Sequence, residues 1–310
     1  MIVAILIVLG LAFGSFVNAL VWRLHEQEER AKSKEQRRKK GKAKNTAKLS
    51  SHTSVLSSKD LSILKGRSMC PSCKHGLAAK DLVPVLSWLT LRGKCRYCHK
   101  PISIQYPLVE LITATLFVIS YLLWPDVAHA TLAACFAIGR TPDAQTLTFF
   151  GIWLVYMVGF VVLAVYDLKW YLLPNKIVYS LIGVAAIQSF LTVFVFGGGI
   201  ANAKQIALSF IVGGGLFYLL YQISNGKWIG GGDVKLGMLL GIVLADPQLA
   251  LFMIFVASLL GSLVTLPLIA VHKLTKTTHI PFGPFLIAGA IVARLFGVAI
   301  IAWYRIKLLI

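Results

Sequence analysis

The chain has 310 residues, 57% of them hydrophobic, with 31 Lys+Arg against 12 Asp+Glu and a net charge of +19. Apolar residues gathered in long runs exclude an ordinary soluble domain and indicate a polytopic membrane protein.

A helical span needs about 20 apolar residues. Eight segments are candidates: 2–22, 105–124, 147–166, 177–196, 205–223, 234–245, 248–271 and 284–303. The sixth is short and runs into the seventh across Asp246-Pro247, so seven spans is the alternative count. Segment 127–138 is apolar but too short to span and reads as interfacial. The fold expected is all-α, a polytopic membrane bundle of about eight spans with a small zinc-ribbon-like module. Four regions follow: an anchor at 1–24, a basic segment at 25–66, a four-cysteine module at 67–104 and a multi-span domain at 105–310.

The first span has no basic residue before it and Arg23 directly after it, which reads as an uncleaved anchor with its N-terminus outside. Residues 23–104 carry 20 Lys/Arg against six acids, a net +14, and so are placed in the cytoplasm. Threading onward, Lys169, Lys176, Lys227, Lys235, Lys273 and Lys276 fall in cytoplasmic turns, and only Arg140 and Lys204 in outer ones. Arg305 and Lys307 fall on the wrong side for this rule.

Residues 25–66 are rich in Lys, Glu, Ser and Thr, and are expected to be disordered because they have too little apolar surface to bury. The run RRKKGKAK (37–44) suits an anionic lipid surface or nucleic acid. The plainer reading is a solvated tether beside an anionic leaflet, with no nucleic-acid partner.

Cys70, Cys73, Cys95 and Cys98 form C-x2-C-x21-C-x2-C. Two such knuckles present four thiolates tetrahedrally, which suits structural Zn2+. The spacer is one residue longer than the usual range. A disulfide pairing is disfavoured in a reducing cytosol. His75 and His99 follow the knuckles and read as bystanders, with ligand substitution the alternative. Cys135 stands alone in an apolar stretch and reads as a packing residue. PVLSWLTLRG, between the knuckles, has little charge and favours a clip against the membrane over a nucleic-acid reader.

Six acids follow the module: Glu110, Asp126, Asp143, Asp167, Asp233 and Asp246. In this topology Asp126, Asp143 and Asp246 lie in outer turns. Asp167 ends the third span and Asp233 starts the sixth, both at the cytoplasmic boundary. An acid within the membrane costs about 3 kcal/mol, which marks such residues as functional candidates. Asp233, behind Gly230-Gly231-Gly232, also suits an N-cap. Asp167 also suits pairing with Lys169 or Lys176. As a pair, two close carboxyls share one proton and supply the acid and base of an aspartic protease. Gly230 and Gly232 would let a peptide backbone approach. The other triple glycines, 197–199 and 213–215, have no acid beside them and carry no such signal.

At these residues the chain resembles prepilin leader peptidases, GxGD-type intramembrane aspartic proteases. GSFVNALVWRL (14–24) is similar to the family's first span. CPSC (70–73) with LVPVLSWLTLRGKCRYCHKPISIQYPLVEL (82–111) is similar to its zinc-bearing segment. DLKWYLLPN (167–175) and GGGDVKLG (230–237) resemble the two Asp motifs, and PFGPFLIAGA (281–290) a last-span signature. The resemblance implies an enzyme of a bacterial-type inner membrane. It would remove the basic leader of type IV prepilins or pseudopilins after a glycine, at the cytoplasmic face, with Asp167 and Asp233 as the catalytic pair. Relatives with the cysteine segment often also methylate the new N-terminus from S-adenosylmethionine. No Gly-rich nucleotide loop in this sequence supports that second activity. Glu110 would orient the substrate amine or cap the second span. Lys235 would snorkel to the interface, with tuning of Asp233 the alternative. Position 175 is Asn where many relatives carry Asp, and residues 25–66 are longer and more basic than the family's usual link.

Other readings remain beside it. A signal-peptide-peptidase or presenilin-type protease would carry Pro-Ala-Leu after the second Asp, where this chain has PFGPF. A preflagellin-type peptidase would lack the cysteine module. A zinc-dependent scaffold of a pilus or DNA-uptake assembly would need no carboxylate pair. A transporter would show internal repeats and mid-membrane acids, and neither is seen.

Overall fold

The computed structural model describes residues 1–41, 68–124, 143–270 and 280–308. Segment 127–138 with Cys135, and the basic segment from residue 42 to 66, lie outside the described residues. The chain divides into two compact units, Met1–Thr115 and Leu116–Ile310.

The first unit holds α1 (Ile2–Gly41), the short α2 (Leu86–Thr90) and the start of α3 (Gln105–Leu123). α1 continues 17 residues past the boundary expected at 24, so residues 25–41 are helical where disorder was expected. The reason is local. HEQEERAKSKEQRRKK consists almost wholly of good helix formers. Arg30 pairs with Glu26 at 3.2 Å and Lys32 with Glu29 at 3.1 Å along one face. Low hydrophobicity excludes a packed core, but not a helix that extends one already nucleated in the membrane.

α1 and α3 approach closely through glycine. A Cβ on Gly14 would lie 2.5 Å from the Glu110 Cα, and one on Gly10 would meet the Ala114 backbone. Small residues permit such backbone contact between membrane helices.

The second unit takes the rest of α3 and then α4 (Ala144–Trp170), α5 (Asn175–Phe190), α6 (Gly199–Ser224), α7 (Gly231–Leu244), α8 (Pro247–Ala270), α9 (Gly283–Val292) and α10 (Val298–Leu308). A π-helical turn, Leu191–Val195, extends α5, and another, Ala293–Gly297, joins α9 to α10. No strand occurs among the described residues, only two isolated β-bridges in the cysteine module.

Among the described residues seven helices are long and apolar enough to cross a membrane: α1, α3, α4, α5 with its π turn, α6, α8 and α9–α10. Among these residues the count is the alternative of seven rather than eight. The sixth candidate, α7, has 14 residues, about 21 Å of helix against about 30 Å of hydrocarbon. It does not merge with α8 either. Ala245 adopts a left-handed conformation (φ 56°), and Pro247 opens the next helix.

α7 is buried on most sides, with Leu236, Leu239 and Leu240 fully enclosed. It seats against α6 through glycines on both helices. A Cβ on Gly213 would lie 2.7 Å from the Gly237 carbonyl oxygen and 2.9 Å from the Gly241 Cα. Ser209 Oγ donates to the Gly241 carbonyl at 2.6 Å, inside the same contact. The triple glycine at 213–215 is thus a packing surface. α4 contributes Trp153, Tyr156, Met157, Phe160, Leu163 and Tyr166 to the core at helical spacing.

Candidate active site

Asp167 sits in the last turn of α4. Tyr171 closes that helix in a left-handed conformation, its N–H donating to the Asp167 carbonyl at 2.8 Å. The Asp167 side chain is buried at 5% exposure. Its carboxyl receives the N–H of Gly283, the first residue of α9. That N–H has no partner inside its own helix. An ideal Cβ on Gly283 would lie 2.5 Å from Asp167 Oδ2, so only glycine lets the two meet.

Asp233 lies in the first turn of α7. It does not cap the helix. Gly230 is the N-cap, with extended φ −73° and ψ 147°, and Asp233 is the third helical residue. From there its carboxyl reaches back to the Gly230 N–H. This is the return half of a capping box; glycine at the cap supplies no forward half. A carboxylate in this turn also complements the helix dipole. Asp167 and Asp233 stand within each other's electrostatic field. The fold therefore brings together two acids that are 66 positions apart.

The neighbouring motif residues have distinct surroundings. Gly230 faces open space with Asp233 Oδ2 the nearest side-chain atom, at 3.8 Å from an added Cβ. Gly232 instead faces Leu173, whose Cδ1 would be 3.2 Å from its Cβ. That contact packs the DLKWYLLPN segment onto the start of α7. Lys235 Nζ donates to Asn175 Oδ1 at 3.0 Å and lies 5.6 Å from the centre of the Tyr179 ring. It ties the two Asp motifs together rather than approaching Asp233. Lys169 turns to the Trp170 ring at 5.3 Å.

In the first unit the four cysteines converge, with all sulfurs within 4.8 Å of one another. Both knuckles fold alike. The Cys70 N–H donates to the His75 carbonyl and the Cys95 N–H to the Lys100 carbonyl, each at 2.9 Å. Lys74 (φ 60°) and His99 (φ 56°) take the same left-handed turn position. A tetrahedral ZnS4 centre with Zn–S of about 2.3 Å needs sulfurs about 3.8 Å apart. Cys70 and Cys98 are 3.9 Å apart, so the donor set fits zinc. Neither histidine joins this group; His75 stacks on Tyr97 at 3.8 Å.

Burial raises the Cys70 thiol, but the Cys73 and Ser72 amides and the Cys73 and Cys95 side chains bring it down to about 7. For Cys98 the Lys100 amide lowers the thiol, yet burial and the Cys95, Cys73 and Cys70 sulfurs push it up to about 11. Metal binding takes thiolates, so at neutral pH it must displace protons. The apparent Zn2+ affinity of the full-length protein is expected to rise about tenfold or more from pH 6 to pH 7. Competition against a chromogenic chelator measures this, and a pH-independent affinity would contradict it.

Glu110 lies in the second turn of α3, so it does not cap that span. It is buried at 6% exposure, accepts the Val85 N–H at 2.7 Å, and is hydrogen-bonded by the Ser15 side chain. Val85 has φ 59°, strained for a β-branched residue, and forms the centre of a tight turn before α2. The Glu110 carboxyl helps hold that strain in place. Beside it is a partly open cavity of about 130 Å³ whose lining includes Asn18, Trp22, Arg23, Trp88, Tyr106 and Glu110.

Sequence reasoning missed Gly283, Ser15, Asn18 and Arg23. Polar residues inside the first apolar run were the available signal for Ser15 and Asn18. Gly283 gives no chemical signal, because its part is to be small beside a carboxyl from another helix.

Comparison with known proteins places both units. Residues 8–124 match the bacterial peptidase A24 N-terminal domain, and residues 154–266 match the type IV leader peptidase family. The chain is 31% identical to the prepilin leader peptidase/N-methyltransferase of Aeromonas hydrophila over 95% of its length and 91% of that protein. It is 32% identical to that of Bacillus subtilis (strain 168), over 79% of this chain and 87% of the relative. For that of Pectobacterium carotovorum subsp. carotovorum the identity is 31%, over 92% and 89%. No solved structure matches the chain.

Proposed function

The chain belongs to the type IV leader peptidase family, and from that premise we propose that it is a membrane aspartic endopeptidase that removes the leader of type IV prepilins or pseudopilins and methylates the new N-terminus. The observation that carries the reading is the meeting of Asp167 and Asp233 in one electrostatic site, each receiving a backbone N–H.

Two carboxyls so placed share one proton. The ionised one takes a proton from water as the water oxygen attacks the scissile carbonyl carbon. The protonated one gives its proton to the carbonyl oxygen. On collapse the protonated carboxyl gives its proton to the leaving amine while the other takes one from a hydroxyl of the tetrahedral species, so the dyad again holds one. Gly283 fixes the Asp167 carboxyl through its N–H, and Gly230 does the same for Asp233. The open side of Gly230 is where a peptide backbone approaches.

Zn2+ would be held by Cys70, Cys73, Cys95 and Cys98 as a structural clip, and no step of peptide cleavage runs through it. The methyl group would come from S-adenosylmethionine, and Glu110 is the acid available beside the cavity of the first unit. The seven spans make this a multi-pass membrane protein. The lysine bias supports an inner-membrane placement with the dyad and the zinc module in the cytoplasm. The basic end of α1 suits anionic lipid. The test is mass spectrometry of a pilin co-expressed with the enzyme, which reads the cleavage position and an N-methyl group together. An uncleaved leader refutes the peptidase; a cleaved but unmethylated N-terminus refutes the second activity alone.

A further inference from the structure

The cysteine module leaves an apolar face uncovered. Leu82, Val83, Leu86 and Leu89 are 38%, 43%, 60% and 56% exposed. Leu86 and Leu89 are three apart in α2 and share one face of it, and Leu82 and Val83 directly precede that helix. A group of large apolar side chains left uncovered marks a surface that something else covers. Lys80, Arg92 and Lys94, all exposed, flank the stretch with positive charge.

The depth of this face is fixed by α3. That span has 19 residues, about 28 Å of helix against about 30 Å of hydrocarbon, so almost all of it is needed inside the membrane. Glu110 lies five residues past the start at Gln105, about 7.5 Å below that end of the span. Its carboxyl accepts the Val85 N–H at 2.7 Å. Val85 is thus held below the membrane surface, one residue before α2. The stretch suits such a place, because its polar groups are satisfied internally. The Ser87, Leu89 and Leu91 N–H groups donate to the Val83, Val85 and Ser87 carbonyls, each at 3.0 Å. The Trp88 indole N–H donates to the Ile102 carbonyl and the Thr90 hydroxyl to the Ser87 carbonyl, both at 3.1 Å. Backbone that enters lipid must be satisfied in this way.

We propose that α2 and the turn before it are inserted into the phospholipid leaflet that the N-terminal end of α3 enters, with Leu82, Val83, Leu86 and Leu89 among the acyl chains. Interfacial apolar faces sink about 5–10 Å, the depth that the bond to Glu110 sets here. Lys80, Arg92 and Lys94 meet lipid phosphates at the rim. The module is then held by α1, by α3 and by its own lipid-seated face, rather than resting on the membrane surface. Leu82, Trp88 and Leu91 also line the cavity of the first unit, which places that cavity at the leaflet boundary rather than in bulk water. Neither catalytic activity enters: a protein that cleaved and methylated nothing would still seat α2 in this way.

The experiment is photocrosslinking of the full-length, zinc-loaded protein in nanodiscs of a single phospholipid. p-Benzoylphenylalanine replaces Leu86 or Leu89 and, as control, Gln36, which is exposed on α1 about 20 Å past Arg23. Mass spectrometry identifies what each position captures. Positions 86 and 89 are expected to give phospholipid adducts on acyl carbons, at least about tenfold more than position 36, the contrast between lipid and water. Adducts with a second copy of the chain, or with another segment of the same chain, identify a protein occupant and overturn the proposal. Lipid labelling no stronger than at position 36 overturns it too. Amide hydrogen exchange gives a second reading. The amides of Ser87, Leu89 and Leu91 are expected to exchange at least about tenfold faster in the Leu86→Asp/Leu89→Asp variant than in the parent protein, and at the parent rate in Leu86→Phe/Leu89→Phe. Bound zinc checks that the module is folded. Unchanged exchange in a zinc-loaded Asp variant overturns the proposal. Faster exchange in the Phe variant as well makes the two leucines packing residues, which also overturns it. Where the Asp variant loses zinc, the photocrosslinks alone decide.

Discussion

Asp167→Asn and Asp233→Asn variants are each expected to cleave a prepilin about 10³-fold more slowly than the parent enzyme, the usual worth of a positioned acid or base. The loss is expected to be similar for both because neither residue can do the other's half of the reaction. Asparagine keeps the shape and can still accept the Gly283 or Gly230 N–H, but it cannot hold or release the shared proton. The double variant should be little worse than either single one, since groups acting as a unit are not additive. Folding should survive, because the change removes one of two mutually repelling acids from a partly desolvated site. The measurement is leader removal in nanodiscs, resolved by gel mobility, with thermal stability recorded alongside. Wild-type cleavage by either variant would end the dyad assignment and favour the scaffold reading.

Gly283→Ala is expected to cost about 100-fold in cleavage, although glycine itself offers no acid or base. The added Cβ would sit 2.5 Å from Asp167 Oδ2. Either the carboxyl turns away or α9 retreats and withdraws its N–H. A displacement near 1 Å at a reacting group has consequences on this scale. Gly289→Ala is the matched control, because its Cβ would meet the Met253 carbonyl oxygen at the same 2.5 Å on the same helix. Both variants should lose stability, by about 1–3 kcal/mol for overpacking. Only Gly283→Ala should lower the rate per folded molecule. Equal rates for the two variants would make Gly283 a packing residue and nothing more.

The span boundaries were legible because lipid imposes a simple rule: apolar residues for as long as the hydrocarbon lasts. Thus 105–124 becomes Gln105–Leu123, and 248–271 becomes Pro247–Ala270. The rule fails at α7, because a buried helix of 14 residues is as apolar as a spanning one. It also fails past Arg23, where low hydrophobicity points to disorder but local propensity continues the helix to Gly41. The cysteines were legible because knuckle spacing is a local geometry, and both knuckles close with the same hydrogen bonds.

What the sequence determined by itself is the chemistry on offer: two acids at apolar boundaries, four thiols in paired turns, and helices for a membrane. Each follows from residue type and short-range spacing. What only the tertiary structure decided is which groups meet. Asp167 takes an N–H from Gly283, 116 positions later, and Lys235 reaches Asn175 rather than Asp233. Gly213 and Gly232 serve packing, whereas Gly230 leaves a side open. Asn18 is held by the Tyr106 carbonyl, 88 positions later, to which its amide donates at 3.0 Å. The physical reason is common to all of these. Backbone donors, open space and unsatisfied acceptors are properties of how helices are seated against one another, and no single segment of the chain encodes its neighbour's position.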